Sequence, residues 1–155
     1  MAERSLLTPE VMAYLGKQAE PVSQKAEQGA ILQWDRAVFN ENRLHKDQAA
    51  AKRSPRRGLV AHPTFVTSLC KQAFVKGAPS VRPPIDCQRG FNGSDEFEFL
   101  APVRPGDTVT RAVRVADIRE KQSRHGYLAF VTYESTFTNQ RGQVVLRERW
   151  TSVHY

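Results

Sequence analysis

The residues best suited to proton-transfer chemistry lie in a polar, asparagine-rich segment at positions 39–47. It contains His45, and histidine can accept and donate a proton near neutral pH. Asn40 lies five residues earlier, and an amide can hold a water molecule by hydrogen bonds although it cannot accept a proton. His45 is therefore a candidate general acid and base. The alternative is an exposed loop histidine without a chemical role.

A second group of candidates is basic. The chain of 155 residues carries a formal net charge of +7, which favours anionic partners. Part of that charge lies in residues 52–57 (KRSPRR), where Arg56 and Arg57 are candidate phosphate contacts. A solvated loop explains the same run equally well. We expect no nucleic-acid partner, because no recognised nucleic-acid motif accompanies the charge.

The strongest structural signal is an apolar helix predicted over residues 62–77. Pro63 suits a first helical position and Gly77 a left-handed cap. The apolar residues between them recur at helical spacing and form one wide stripe: Phe65, Val66, Leu69, Cys70, Ala73 and Phe74. The start of this helix offers free N–H groups near Ala61 and His62, which suit an oxygen that gains negative charge. Two alternatives are open for the His62 side chain: it caps the helix or it points into the site, and capping or packing is the favoured one.

The elements around this helix predict one domain spanning residues 1–155. Residues 8–16, 27–38 and 48–52 are predicted helices; in the second, Gln33, Asp35 and Arg36 are expected on the outside. Beyond Gly90 the apolar period becomes two, and short turns separate the segments, which is typical of antiparallel strands. The prediction is an α+β fold in which one antiparallel sheet surrounds a buried, long central helix.

Several classes of protein are excluded or disfavoured. No apolar run approaches the ~20 residues of a membrane span, and the first residues lack a secretory signal, so we expect a cytoplasmic protein. Cys70 and Cys87 are too few for a disulfide framework, and Cys70 is expected in the core. No spacing of histidines and cysteines predicts a metal, and no glycine-rich nucleotide loop is present.

Three strings, in this order, resemble those of the MaoC-like hot-dog family, and more narrowly its N-terminal dehydratase type. They are residues 39–45 (FNENRLH) with Ala51, residues 58–65 (GLVAHPTF) and residues 97–107 (FEFLAPVRPGD). The first is similar to the hydratase motif of the family, Gly-Asp-x-Asn-Pro-(aliphatic)-His, which is followed six residues later by Ala or Ser. Four positions match this motif: Asn42, Leu44, His45 and Ala51.

The resemblance implies a hot-dog domain that adds water reversibly across the 2,3 double bond of an acyl thioester. The substrate would be carried by coenzyme A or an acyl carrier protein, with no cofactor beyond the coenzyme A or phosphopantetheine of that substrate. The expected assembly is a homodimer or a heteromer with another MaoC-like subunit. The implied catalytic residues are His45 and Asn40, and the implied substrate-binding residues are Asn42, Gly58, Ala61, His62, Arg56 and Arg57.

The segment departs from the family at three positions. Asn40 occupies the place of the aspartate, Phe39 that of the glycine and Arg43 that of the proline. Three hypotheses follow: a chain that binds the acyl group while a partner supplies the intact Asp/His pair, a chain in which Glu41 or Asp47 replaces the aspartate, or a changed thioester chemistry such as hydrolysis. The first is favoured slightly over the second.

Overall fold

A computed structural model describes residues 5–71, 81–87, 89–124 and 126–155. These residues form short α-helices, one 3-10 turn and five strands. In chain order the elements are α1 (Pro9–Met12), β1 (Val22–Lys25), α2 (Gln28–Ala37), the 3-10 turn (Arg43–His45), α3 (Gln48–Arg53), α4 (Pro63–Val66), β2 (Gly90–Phe99), β3 (Thr108–Ser123), β4 (Gly126–Asn139) and β5 (Val144–His154). Within these ranges no helix has the length and apolar character of a membrane span.

The strands form a single antiparallel sheet in the order β1-β3-β4-β5-β2. β3 and β4 form a tight hairpin in which Ser123 pairs with Gly126, and a turn at residues 140–143 leads into β5. Both turns were predicted from the sequence. The pairing of β2 with β5 brings the first long strand beside the last, and periodicity alone did not specify it.

The apolar segment that starts at Pro63 packs on one face of this sheet. Phe65, Val66, Leu69 and Cys70 are all buried there, together with Ile31 of α2. Their neighbours from the sheet are Val109, Phe137, Val145 and Leu146. The predicted α+β class, one antiparallel sheet with an apolar helical segment buried against it, is therefore confirmed.

The predicted length of the central helix is wrong for residues 67–71. The helix spans Pro63–Val66, and turns follow to residue 70. Thr67 and Ser68 direct their hydroxyls to the carbonyls of Thr64 and Phe65, three residues back, at 2.8 and 2.7 Å, which competes with helical pairing. Cys70 then has a φ of 59°, in the left-handed region. The rest of the predicted helix, residues 72–77, lies outside the described residues.

Strand β2 lies at one edge of the sheet and is exposed along its whole length. The alternation of Phe97 and Phe99 with acidic residues correctly predicted a strand. Yet the two rings are 42 and 45% exposed, and they stack on each other with centroids 6.1 Å apart. The aromatic face of β2 is therefore not covered by the described residues of this chain.

Candidate active site

The first component of the site is a buried carboxylate on α2. Asp35 is 0% exposed, so the prediction that it faces outward is wrong. It lies four residues after the buried Ile31 and hence on the same helix face, a signal that sequence reasoning missed. Its Oδ1 accepts a hydrogen bond from Asn40 Nδ2, whereas its Oδ2 has no hydrogen-bond partner among the described residues. Such an oxygen can accept from a water molecule or a ligand.

The asparagine-rich segment is held by its own side chains. Asn40 Oδ1 accepts from the N–H of Asn42 at 3.0 Å, and Asn42 Oδ1 accepts from the N–H of Leu44, also at 3.0 Å. Asn40 therefore has one side-chain N–H left for the predicted role of orienting water. Phe39, at the family's glycine position, has a φ of 51° and is 90% exposed. The left-handed conformation at this position is therefore adopted by a residue other than glycine, which would favour it.

His45 is fixed by one of its two ring nitrogens. Its Nδ1 lies 3.0 Å from the carbonyl oxygen of Val60, just before α4. A carbonyl can only accept, so Nδ1 carries the hydrogen and a neutral His45 has Nε2 free to accept a proton. The N–H of Val60 donates back to the carbonyl of Leu44 at 3.4 Å. The structure thus places the candidate base beside the start of α4.

His62 caps α4, as one of the two sequence-based alternatives predicted. Its Nδ1 lies 3.3 Å from the N–H of Thr64 and 2.7 Å from the Thr64 hydroxyl. The same hydroxyl accepts from the indole N–H of Trp34 on α2 at 3.0 Å. Hydrogen bonds therefore connect the N-terminal cap of α4 to Trp34 on α2.

The two imidazoles are neighbours, with ring centroids 5.4 Å apart and an edge-on arrangement. Burial lowers the pKa of His62 below its ordinary value, the nearby His45 lowers it further, and the Asp35 carboxylate opposes both. His62 therefore interacts electrostatically with both His45 and Asp35, which come from two other elements.

The predicted use of main-chain N–H groups is wrong for Ala61. Its N–H donates to the carbonyl of Val103 at 2.8 Å and is not available to a ligand. The N–H of His62 has no acceptor among the described residues. Moreover, α4 is one turn long, so its dipole is small.

The basic loop, residues 52–57, lies between His45 and His62 in the chain. Arg56 and Arg57 are exposed, and no acidic side chain in the described ranges forms an ion pair with either. Arg104 holds the loop through a bond of 2.6 Å from Nη2 to the Arg56 carbonyl. At Gly58 a Cβ atom would lie 3.2 Å from Arg104 Nη1, so a side chain there would press on this contact. The loop is anchored through its backbone, which leaves its cationic side chains free to bind phosphate.

The two substitute carboxylates proposed from the sequence are not placed against His45 by any contact of the described residues. Asp47 caps α3 by accepting from the N–H of Ala50 at 2.9 Å, and it also pairs with Arg43. These interactions lower the pKa of Asp47 below its ordinary value. Glu41 is exposed. The buried carboxylate of this region is Asp35 instead.

Two clefts lie elsewhere on the molecule, with volumes of about 680 and 660 Å³. The first is lined by residues of β2 to β5 together with Gln18, and the second includes Tyr133 and Trp150. Neither is lined by His45 or His62. The histidine pair therefore lies outside both clefts.

An antiparallel sheet packed on an apolar helical segment, with a histidine-bearing bend beside the start of that segment, defines a hot-dog domain of the dehydratase type. The family described as the FAS1-like dehydratase domain region matches residues 13–148. The chain belongs to this family of MaoC-like dehydratases.

Individual relatives agree with this assignment. A UPF0336 protein of Saccharopolyspora erythraea is 25% identical over 142 residues, which cover 91% of this chain and 88% of that protein. A probable enoyl-CoA hydratase alpha subunit of Thermomonospora curvata is 26% identical, over 81% of this chain and 43% of that protein. The crystal structure of a MaoC-like dehydratase from Rhodospirillum rubrum is 27% identical and covers 91% of this chain and 92% of that one, with a TM-score of 0.72.

The Asp35–Asn40 contact yields a prediction about stability. Asn40→Asp would place a second, half-buried carboxylate against the buried Asp35, so we expect a loss of about 1–3 kcal/mol in the free energy of unfolding. The double variant Asp35→Asn, Asn40→Asp restores an amide–carboxylate pair and should recover most of that loss. Urea unfolding of the three proteins measures both effects. A double variant that is no more stable than Asn40→Asp would contradict the proposed pairing.

The lowered pKa of His62 predicts a dependence of stability on pH. Because the unfolded chain has the ordinary pKa of 6.5, it binds a proton more readily than the folded chain does. The free energy of unfolding should therefore be fully maintained above about pH 6.5 and fall as the pH decreases from there through the lower folded value.

His62→Asn should flatten this dependence, as measured by urea unfolding at a series of pH values. Burial also lowers the pKa of His154, so we expect His154→Asn to reduce the pH dependence of the free energy of unfolding independently of His62. A His62→Asn protein with the same pH dependence as the wild type would show that His62 does not contribute.

Proposed function

We propose that this chain is a hydro-lyase subunit that adds water to a 2-enoyl thioester, or removes it from the 3-hydroxyacyl thioester. The observation that supports this most directly is the bond from His45 Nδ1 to the Val60 carbonyl, which leaves Nε2 as a proton acceptor. Family membership supplies the reaction class. The substrate carrier is coenzyme A or the phosphopantetheine of an acyl carrier protein, whose phosphates suit Arg56 and Arg57.

In the proposed hydration, His45 Nε2 takes a proton from water while the water oxygen bonds to C3 of the substrate. The π electrons move into the thioester, and the imidazolium of His45 then delivers its proton to C2. The remaining N–H of Asn40 helps to hold the water molecule, whereas its other side-chain groups are engaged by Asp35 and Asn42. Dehydration follows the same steps in reverse.

We further propose that the site is completed by a second MaoC-like subunit. Neither described cleft is lined by His45, and the exposed β2 offers an uncovered aromatic face where another sheet can pack. One relative bears the name of an alpha subunit, which implies an assembly with a second kind of chain. A homodimer would cover the same face. The second subunit would supply the acyl pocket and, in a heteromer, a further acid.

The role of His45 is tested by hydration of crotonyl-CoA, followed as loss of the enoyl-thioester absorbance. We expect His45→Gln to lower kcat/KM by about 10²–10⁴, because the amide cannot accept the proton of water. His154→Gln is the matched control. It makes the same change at a histidine that ends β5 and should keep the wild-type rate.

Other outcomes of this assay identify the alternatives. Release of free thiol without change at C3 would replace hydration with thioester hydrolysis. Binding of acyl-CoA without turnover, and recovery of activity on addition of a MaoC-like partner, would make this chain the acyl-binding subunit. In the second case His45→Gln would leave the recovered rate unchanged.

The basic loop yields a separate prediction about the carrier. Arg56→Gln together with Arg57→Gln should raise KM for crotonyl-CoA roughly tenfold, about 1.4 kcal/mol, and leave kcat unchanged, because two phosphate contacts are lost. With crotonyl-pantetheine, which lacks the nucleotide phosphates, the variant and the wild type should have equal KM values.

The control is Arg119→Gln together with Lys121→Gln, which also removes two positive charges, but near the C-terminal end of β3. Equal increases in KM for both double variants would indicate a general effect of net charge and would contradict a specific site at the loop.

A further inference from the structure

The reaction proposed above needs a donor for the thioester oxygen, which gains negative charge when water adds to C3. Of the main-chain N–H groups predicted for this purpose, that of Ala61 is already bonded to the Val103 carbonyl, and that of His62 lies at the start of a one-turn helix whose dipole is small. We infer that the His62 side chain is the donor: its Nε2–H binds the thioester oxygen and polarises the carbonyl. This inference rests on the proposed hydration and adds a residue to its catalytic group.

The hydrogen bonds of α4 fix which nitrogen of His62 carries the hydrogen. The main-chain N–H of Thr64 can only donate, and it points to Nδ1 at 3.3 Å. Because Nδ1 accepts from this N–H, it carries no hydrogen itself, so the Thr64 hydroxyl at 2.7 Å donates to Nδ1 while its oxygen accepts from Trp34. Nδ1 therefore accepts two hydrogen bonds, and a neutral His62 must carry its hydrogen on Nε2.

His45 is in the opposite state. Its Nδ1 donates to the Val60 carbonyl, so its Nε2 accepts. The pair thus presents one proton acceptor and one hydrogen-bond donor from rings whose centroids are 5.4 Å apart. In the inferred complex, C3 and the attacking water lie near His45 and the carbonyl oxygen lies near His62.

The chemical steps balance with these two roles. One O–H bond of water breaks, its proton goes to His45 Nε2, and the oxygen bonds to C3. The C2–C3 π electrons become the enolate, whose oxygen accepts from His62 Nε2–H. The enolate then collapses as C2 takes the proton from His45. His62 keeps its hydrogen throughout, since loss of it would leave an imidazolate.

The surroundings favour the neutral form of His62, which this role requires. Burial lowers the pKa of its ring, and the charge of His45 acts in the same direction. Asp35 of α2 opposes them without reversing the shift. A neutral imidazole that polarises a carbonyl retains the cap of α4, whereas an imidazolium would turn Nδ1 from acceptor to donor and break it.

Two substitutions separate this role from helix capping. In His62→Asn the side-chain oxygen can replace Nδ1 as the cap, but the donor at Nε2 is lost. In His62→Gln the longer amide can place an N–H near the Nε2 position, but the cap is lost. We expect His62→Asn to lower kcat by about 10²–10³ with little change in KM and in the urea midpoint. His62→Gln should retain most of kcat and unfold at lower urea.

A residue that only caps α4 would give the reverse order, with His62→Gln the more impaired in both respects, and that result would overturn the inference. The inference would also be overturned if His62→Asn hydrated crotonyl-CoA with the kcat of the active wild type. That outcome would leave the proposed function intact.

A second measurement does not depend on activity. Ring-nitrogen NMR of the whole chain should show His62 with its hydrogen on Nε2 and His45 with its hydrogen on Nδ1. A hydrogen on His62 Nδ1 would overturn the inference whether or not the chain hydrates an enoyl thioester. With the expected tautomers but no hydration in any assembly, the proposed function fails and the donor role fails with it.

Discussion

The site depends on one hydrogen bond, between His45 Nδ1 and the Val60 carbonyl. It joins the polar bend to the chain that enters α4, and it does so across fifteen residues of sequence. The bond orients the imidazole and selects its tautomer at the same time, because a carbonyl accepts only from N–H. The return bond from the Val60 N–H to the Leu44 carbonyl holds the two backbone segments together and so keeps the carbonyl of Val60 within reach of the ring.

A second constraint is the position of the acid: an amide occupies the family's aspartate position, and the carboxylate lies on the preceding helix instead. The family motif has an aspartate where this chain has Asn40, yet a carboxylate is still present in the region, as Asp35 on the preceding helix. The two side chains contact each other, so the amide secures the bend to α2 while the acid is withdrawn from solvent. The Asp35 carboxylate raises the pKa of His62 from α2, so its charge acts on the histidine from outside the asparagine-rich segment.

The sequence predicted most of the elements, because capping residues and apolar periods are local signals, although α1 ends at Met12 and not at the predicted residue 16. Thr8 caps α1, Asp47 caps α3, and β2 to β5 follow their predicted turns. The central helix was overestimated: its apolar stripe continues past Val66, but hydroxyls at Thr67 and Ser68 and the conformation of Cys70 end it. Periodicity reports which side chains are apolar and not where competing hydrogen bonds form.

The site was only partly predictable for a related reason. His45, Asn40 and His62 were named from the motif and the helix start, and the structure brings their segments together. Asp35 was missed because a charged residue was assigned to solvent even though its spacing from Ile31 indicated the buried face. The loss of Ala61 as a donor could not be foreseen, since it depends on the long-range contact with Val103.

The exposed edge formed by β2 has a consequence for handling the protein. In the part of the chain that the structure describes, this ten-residue strand has β5 as its one β-neighbour and presents a row of unmatched peptide groups beside stacked phenylalanine rings. Such an edge is a template for non-native strand addition. At high concentration this edge therefore favours aggregation, and any surface that packs over it opposes that aggregation.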